Sequence, residues 1–183
     1  MPKIVNIKTG KEYPIRIDSR FTLIGRSAEA DVNVPDFNIY ISRFHATIFR
    51  HGNDFYLLDH SYNGTYYPVY DRAKPLSDKS LMKSEILSDS KARNGNRTKA
   101  GYRDLVTTIS GYVPHGFRNR EDLMPLLDAL ENSEIREKMI KQQGKTAETI
   151  ILKGIRIKPV ARKLEHGAML AITKDNLFTY LEE

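Results

Sequence analysis

Cysteine is absent from the 183 residues. That excludes a disulfide framework and a thiolate metal site, and it suits the cytoplasm. No apolar run approaches the length of a membrane span. The stretch Met1-Pro-Lys-Ile-Val-Asn6 lacks the apolar core of a signal peptide. The expected setting is cytoplasmic or otherwise intracellular, with no membrane partner. There is no internal repeat. Charge of one sign does not dominate: 29 basic against 23 acidic residues give a net +6. So small a basic bias favours anionic partners without selecting among them. With 40% hydrophobic and 28% charged residues, the composition is that of a soluble globular protein. The length suits one domain, or one domain with a large insertion.

What is present falls into three parts. At the start, alternation and turn residues predict strands. Residues 3–8 and 13–17 form a hairpin about Thr9-Gly-Lys-Glu12. Residues 21–24 form a strand ending at Gly25, and 31–35 a short one stopped by proline. Residues 46–50 and 55–58 form a second hairpin across His51-Gly-Asn-Asp54. Residues 65–69 form a short strand in which Pro68 marks an edge or an exit. From about residue 70 to 149 the period changes. Helical spacing is present over 77–87 and over 102–109, where Tyr102, Leu105, Val106 and Ile109 share a face. Asn119 is a candidate N-cap, with Glu121 and Asp122 in the first turn of a helix carrying Leu123, Leu126, Leu127 and Leu130. Ser133 is the candidate cap of a last helix. Residues 88–101 read as a mobile basic loop. Strand character returns over 150–157, interrupted at Gly154, then over 169–172 and 177–181.

Three polar clusters sit at the ends of the early strands. Gly25-Arg26 follows the third strand. Ser42-Arg43-Phe44-His45 precedes the run 46–49. Asp59-His-Ser-Tyr-Asn-Gly-Thr65 follows the run 55–58. Loops at strand ends carry function, and these residue types suit one ligand. An arginine fork matches phosphate oxygens. A serine hydroxyl adds a short neutral donor. An asparagine carboxamide grips peptide backbone with both donor and acceptor.

Taken in order, Gly25-Arg26, Ser42-x-x-His45 and Asn63-Gly64-Thr65 resemble the forkhead-associated (FHA) domain. The resemblance covers residues 1 to about 68 and resumes near 150. It implies a mainly β fold: an antiparallel β-sandwich that binds phosphothreonine peptides, here interrupted by an α-helical insertion. The expected domains are a discontinuous sandwich, 1–68 plus 150–183, and an insertion over 69–149 containing the basic loop near 88–101. The outer pieces sum to about 102 residues, an ordinary domain size. By the resemblance, Arg26 and Ser42 bind phosphate, Asn63 holds the peptide backbone, and Arg43 and Tyr62 shape selectivity. Gly25, His45, Gly64 and Thr65 are structural. The implied partner is a threonine-phosphorylated protein, a serine/threonine kinase or its substrate. No catalytic residue, cofactor or metal is implied. The strand beginning at Thr65 is expected to run away from the peptide-binding end. The insertion would then leave at the opposite pole, lean on the sandwich and leave the phosphate site uncovered.

Each group also has a plainer reading. Arg26 alone could be a surface arginine. Ser42, His45 and Asp59 invite comparison with a hydrolase triad, but no nucleophile-elbow sequence accompanies them. His51 and His60 read as solvated turn histidines. Arg43 could serve either the phosphate or a peptide side chain. Tyr62 stands where the family often has a small polar residue. The basic residues Lys91, Arg93, Arg97, Lys99 and Arg103 could touch nucleic acid, but a solvated loop explains them as well. Two alternatives to phosphopeptide reading stay open: a scaffold using the insertion for assembly, and weak nucleic-acid binding through the basic loop.

Overall fold

In a computed structural model of the chain, the described residues are 1–18, 20–35, 40–68, 106–109, 117–141, 150–152, 155–157, 161–173 and 176–182. The expected helix over 77–87 and the basic loop lie outside them. Two sheets face each other. The first has the order β2-β1-β13-β12-β7-β8, the second β11-β6-β5-β3-β4. The first comprises β1 Lys3–Asn6, β2 Glu12–Pro14, β7 Thr65–Pro68, β8 Val106–Ile109, β12 Met169–Thr173 and β13 Asn176–Leu181. The second comprises β3 Phe21–Gly25, β4 Val32–Asn33, β5 Ala46–His51, β6 Asp54–Asp59 and β11 Ala161–Lys163. A separate antiparallel pair joins β9 Ile150–Leu152 to β10 Ile155–Ile157. All pairings are antiparallel among the described strands except β3 with β4.

Side-chain alternation puts one set from each sheet into a shared core. Ile4, Leu170, Phe178 and Tyr180 come from the first sheet. Ile24, Ala46, Ile48 and Leu57 come from the second. The opposite face of the second sheet is also apolar. Leu23, Phe49, Tyr56 and Leu58 point there, and α1 (Arg120–Glu131) and α2 (Ser133–Lys141) cover them. This is why β6 reads Phe55-Tyr-Leu-Leu58 without a polar alternate: both its faces are buried. The leucines of α1 are core residues, and Leu123, Leu126 and Leu130 are fully buried against this face.

Local chemistry sets the helix ends. Asn119 caps α1, its Oδ1 accepting from the Asp122 N–H at 2.8 Å. Asp122 reaches back and accepts from the Arg118 N–H at 3.3 Å, a reciprocal cap. The helix continues through Pro125, which gives up the i→i−4 bond its N–H would have made to the Glu121 carbonyl. The cap of α2 is Asn132 and not Ser133: Asn132 Oδ1 accepts from Glu134 N at 2.9 Å and Ile135 N at 3.3 Å. A carboxamide reaches both orphan N–H groups of the first turn, and this one also ends α1 through its own N–H to Ala129 O.

One further expectation is corrected. Residues 106–109 are a strand and not the end of a helix. Val106-Thr-Thr-Ile109 is β-branched throughout, and β7 offers it an edge; pairing and β propensity outweigh the helical spacing. Thr65 lies opposite Ile109 and Pro68 opposite Val106. The returning strand therefore brings the chain back to the Thr65 end, and Phe117 then bridges to Phe44. No helix among the described residues is long and apolar enough to cross a membrane.

Because α1 seals a face of the sandwich sheet, it should melt with that sheet. Leu126→Ala is expected to lower global stability by about 2–5 kcal/mol. Tyrosine fluorescence and far-ultraviolet circular dichroism should still give one coincident denaturant transition. A separate early transition confined to helical signal would show that α1 folds independently of the sheet.

Candidate functional site

The three polar clusters meet at one end of the sandwich, and backbone contact comes first. Gly25 ends β3, and a Cβ there would lie 2.1 Å from the Arg43 carbonyl oxygen and 2.7 Å from its carbon. Only glycine lets residues 42–44 run this close to the strand end. Arg26 N then donates to Ser42 O at 3.2 Å and Ser27 N to Arg43 O at 3.0 Å. β4 fixes the same turn from its other side. Val34 N donates to Gly25 O, and Asn33 Nδ2 donates to Arg26 O at 3.2 Å and Ser27 O at 2.7 Å. Sequence reading passed over Asn33. Its signal was the alternation Val32-Asn33-Val34, which puts an amide between two buried valines.

Side chains tie the second cluster to the third. Ser42 Oγ accepts from the Tyr62 N–H at 3.1 Å. Asn63 Nδ2 donates to the Tyr40 carbonyl at 2.8 Å. Ser42 therefore keeps its hydroxyl proton to donate, and Asn63 keeps its Oδ1 to accept. Arg26 is half-buried, and its Nε has no acceptor among the described residues. Tyr40 and Tyr62 are exposed beside them. Arg43 turns the other way, its Nη1 donating to the Arg118 carbonyl at 3.0 Å. The insertion thus reaches the loop that carries Ser42, a contact the expected exit at the opposite pole did not foresee.

Beneath this surface lies a buried polar layer. His45 Nδ1 accepts from the Ser42 N–H at 3.3 Å, and Nε2 stands 3.2 Å from the Gly64 carbonyl. The first contact needs a bare Nδ1 and the second a protonated Nε2, so this pair of bonds selects the neutral Nε2–H tautomer. Asp59 Oδ1 stands 3.9 Å from His45 Nε2, but Nδ1 accepts from the Ser42 backbone N–H and Ser42 Oγ from the Tyr62 N–H, so none of these bonds links the Ser42 hydroxyl to the imidazole. Asp59 Oδ1 accepts from Ser61 N, Ser61 Oγ and Thr65 Oγ1. Ser61 Oγ in turn accepts from Gly64 N at 2.7 Å. Gly64 has φ 92°, a left-handed turn that favours glycine. His60 is buried and not solvated as expected. Its Nε2 meets Thr47 Oγ1 at 2.8 Å and its ring packs edge-on against Phe117, centroids 5.2 Å apart. The cause is the insertion, which supplies Phe117. His51 is half-buried against Tyr56.

Burial shifts two of these groups in opposite senses. It pushes the Asp59 carboxyl up to about 7, more than offsetting the hydrogen bonds from Ser61 and Thr65 that pull it down. It pushes the His60 imidazole down to about 3, with His45 adding to the effect. Among the described residues no group of three or more His, Asp or Glu is placed to hold a metal.

Comparison with known proteins adds the following. Residues 22–83 match the sequence family of the FHA domain, a span that contains all three polar clusters. No curated protein matches the chain in sequence. Among solved structures, Mycobacterium tuberculosis EmbR in complex with a low-affinity phosphopeptide aligns with 15% identity and a TM-score of 0.42. That alignment covers 98% of this chain and 24% of the other, so this chain spans about a quarter of EmbR's length.

The two buried groups predict a pH signature. Between pH 3.8 and about 7, folded Asp59 holds a proton that the unfolded chain has released, so its contribution to stability falls as pH rises. Between about 3 and 6.5, the unfolded chain protonates His60 while the folded one does not, so that contribution grows as pH rises. In the wild type the two slopes oppose each other. Asp59→Asn removes the falling one, so between pH 4.5 and 6.5 the variant should gain stability with pH more steeply than the wild type. Equal slopes in denaturant melts would show that Asp59 is ionised in the folded state throughout.

Proposed function

From the premise that the chain carries FHA-domain sequence over residues 22–83, we propose that it is a phosphothreonine-peptide recognition module serving phosphorylation-dependent protein–protein interaction. The observation that carries the reading is the convergence of three loop ends, with Ser42 Oγ tied to Tyr62 N and Asn63 Nδ2 tied to Tyr40 O. Around that knot stand a guanidinium, a hydroxyl proton and a carboxamide oxygen. Arg26 and Ser42 hold phosphate oxygens. Asn63 Oδ1 accepts from a peptide N–H beside the phosphothreonine. Tyr62 and the backbone held by Arg43 border the peptide and set its selectivity. Gly25, His45, Gly64 and Thr65 keep the loops in place. The module performs no chemistry on its ligand. The partner is a threonine-phosphorylated protein, a serine/threonine kinase or its substrate, and the setting is intracellular. A phosphate-blind scaffold would bind a peptide and its phosphorylated twin alike, so titrating both separates the two functions.

A phosphothreonine brings about −1.5 to −2 charge and three acceptor oxygens. Hydrogen bonds to charged groups contribute about 1.5–3 kcal/mol each, so Arg26→Ala should weaken phosphopeptide binding about tenfold or more. Calorimetry on a folded variant that gives unchanged affinity would remove Arg26 from the site.

Asn63→Ala should also weaken binding, but without changing the charge of the site. Its effect should persist in high salt, whereas the Arg26 contribution, at a half-exposed position, should shrink. If both effects fade together as salt rises, Asn63 does not act through a neutral backbone contact.

A further inference from the structure

A second basic concavity lies at the far pole of the sandwich. Phe21 pairs with Phe49 and Ile24 with Ala46. Arg20 and Arg50 each stand one residue beyond the paired stretch, at the end away from Arg26. The intervening strand β3 puts about 17 Å between the two ends. At this pole Ile17, Asp18, Arg20, Arg50, Gly52 and Arg136 line a pocket of about 260 Å³. Arg20 precedes β3, Arg50 belongs to β5, and Arg136 comes from α2 of the insertion.

Three guanidiniums around one concavity repel one another, and the protein offsets them only in part. Arg20 pairs with Glu131 at 2.6 Å, but the two side chains are 71% and 45% exposed, so water weakens the attraction. Arg50 donates Nε to Gly52 O at 2.8 Å and Nη2 to Asn53 Oδ1 at 3.4 Å. These neutral acceptors hold the guanidinium over the turn without cancelling its charge. Arg136 Nε is buried and has no acceptor among the described residues. Asp18, the carboxylate lining the pocket, is exposed and makes no ion pair with a described residue. A buried donor without an acceptor is costly, and this one belongs to a residue that lines a pocket already short of negative charge.

We propose that this pocket is an anion-binding site for a phosphate-type oxyanion, held between Arg20, Arg50 and Arg136. A tetrahedral oxyanion presents acceptors in three directions out of one plane, matching donors that arrive from three elements, and carries more charge than a carboxylate. The volume lies below the usual range for drug-sized ligands, roughly 300–1,000 Å³, and suits a small group. Inorganic phosphate and a phosphorylated side chain share this chemistry. With Arg20 and Arg50 on the sandwich and Arg136 on the insertion, the anion also joins the two. The site is independent of the phosphothreonine site proposed above.

The test follows backbone amide signals of the full chain by NMR while inorganic phosphate is added at constant ionic strength, with chloride as the control. Saturable shifts are expected at Asp18 and Gly52 with phosphate and not with chloride. Arg136→Gln and, separately, Arg20→Gln should weaken that response about tenfold while leaving the amides of Arg26 and Ser42 as in the wild type. A parallel titration with a phosphothreonine peptide distinguishes the sources. Shifts at Gly52 with the peptide as well identify a site open to phosphorylated side chains, and shifts with inorganic phosphate alone identify a small-ion site. Absence of a response at Gly52 and Asp18, an equal response to chloride, or indifference to both variants overturns the proposal. In the peptide titration, a response at Gly52 with none at Ser42 would instead count against the phosphothreonine site.

Discussion

The loop end of this sandwich depends on one buried imidazole. His45 stands fully buried at the start of β5 and spends both ring nitrogens on backbone, one on the Ser42 N–H and the other on the Gly64 carbonyl. The role needs one acceptor and one donor on the same side chain, which a neutral imidazole has and a carboxylate or a lysine lacks. Since the ring must be neutral to accept from Ser42, the knot avoids burying a charge. Gly25 completes it by letting the Arg43 carbonyl approach where any Cβ would collide. The loops are therefore set before a ligand arrives. For the binding proposed above, less of the free energy would then be spent on ordering them.

The second constraint is that the β11-β6-β5-β3-β4 sheet is apolar on both faces. Facing the other sheet it supplies half of the sandwich core; facing outward it presents Leu23, Phe49, Tyr56 and Leu58. Left uncovered, those four would form the kind of contiguous apolar patch that promotes association. Helices α1 and α2 cover it, and they in turn have no other apolar surface among the described residues on which to bury Leu123, Leu126 and Leu130. Each side needs the other. An insertion in sequence is here a third layer in space. Its boundaries along the chain do not mark a boundary in the hydrophobic core.

Much of this was legible in the sequence, and what was not has physical reasons. The loop contacts lie close to strand ends, Gly25, His45, Asn63 and Gly64 within a residue or two and Ser42 four residues before β5, which is why local sequence singles these residues out; what they do to a ligand belongs to the proposal above. The Asn119 cap could be read for the same reason. Long-range effects hid the rest. Val106 to Ile109 became a strand because β7 offered an edge, which no window of neighbouring residues reveals. His60 looked like a turn residue, but Phe117, distant in sequence, encloses it. Asn132 took the capping role from Ser133 because one carboxamide could serve both helix ends. The continuous run Phe55-Tyr-Leu-Leu58 did carry the sign of a sheet covered on both sides, and it points to the helices as its cover.

These two constraints meet at Arg43. Its backbone carbonyl fills the gap left by Gly25 and accepts from Ser27, while its guanidinium reaches the Arg118 carbonyl at the start of α1. The neighbouring Phe44 bridges to Phe117. The loop that carries Ser42 is thus held from below by His45, from one side by β3 and from the other by the insertion. An arginine that donates to a backbone carbonyl of α1's lead-in is constrained in direction, so its charge is aimed along the insertion and not across the face where Arg26 and Ser42 stand. The position of the Ser42 loop then depends on a segment more than seventy residues away in sequence. Changes in the insertion can reach the loop through rigid, short-range contacts alone, with no need for the sheets to move.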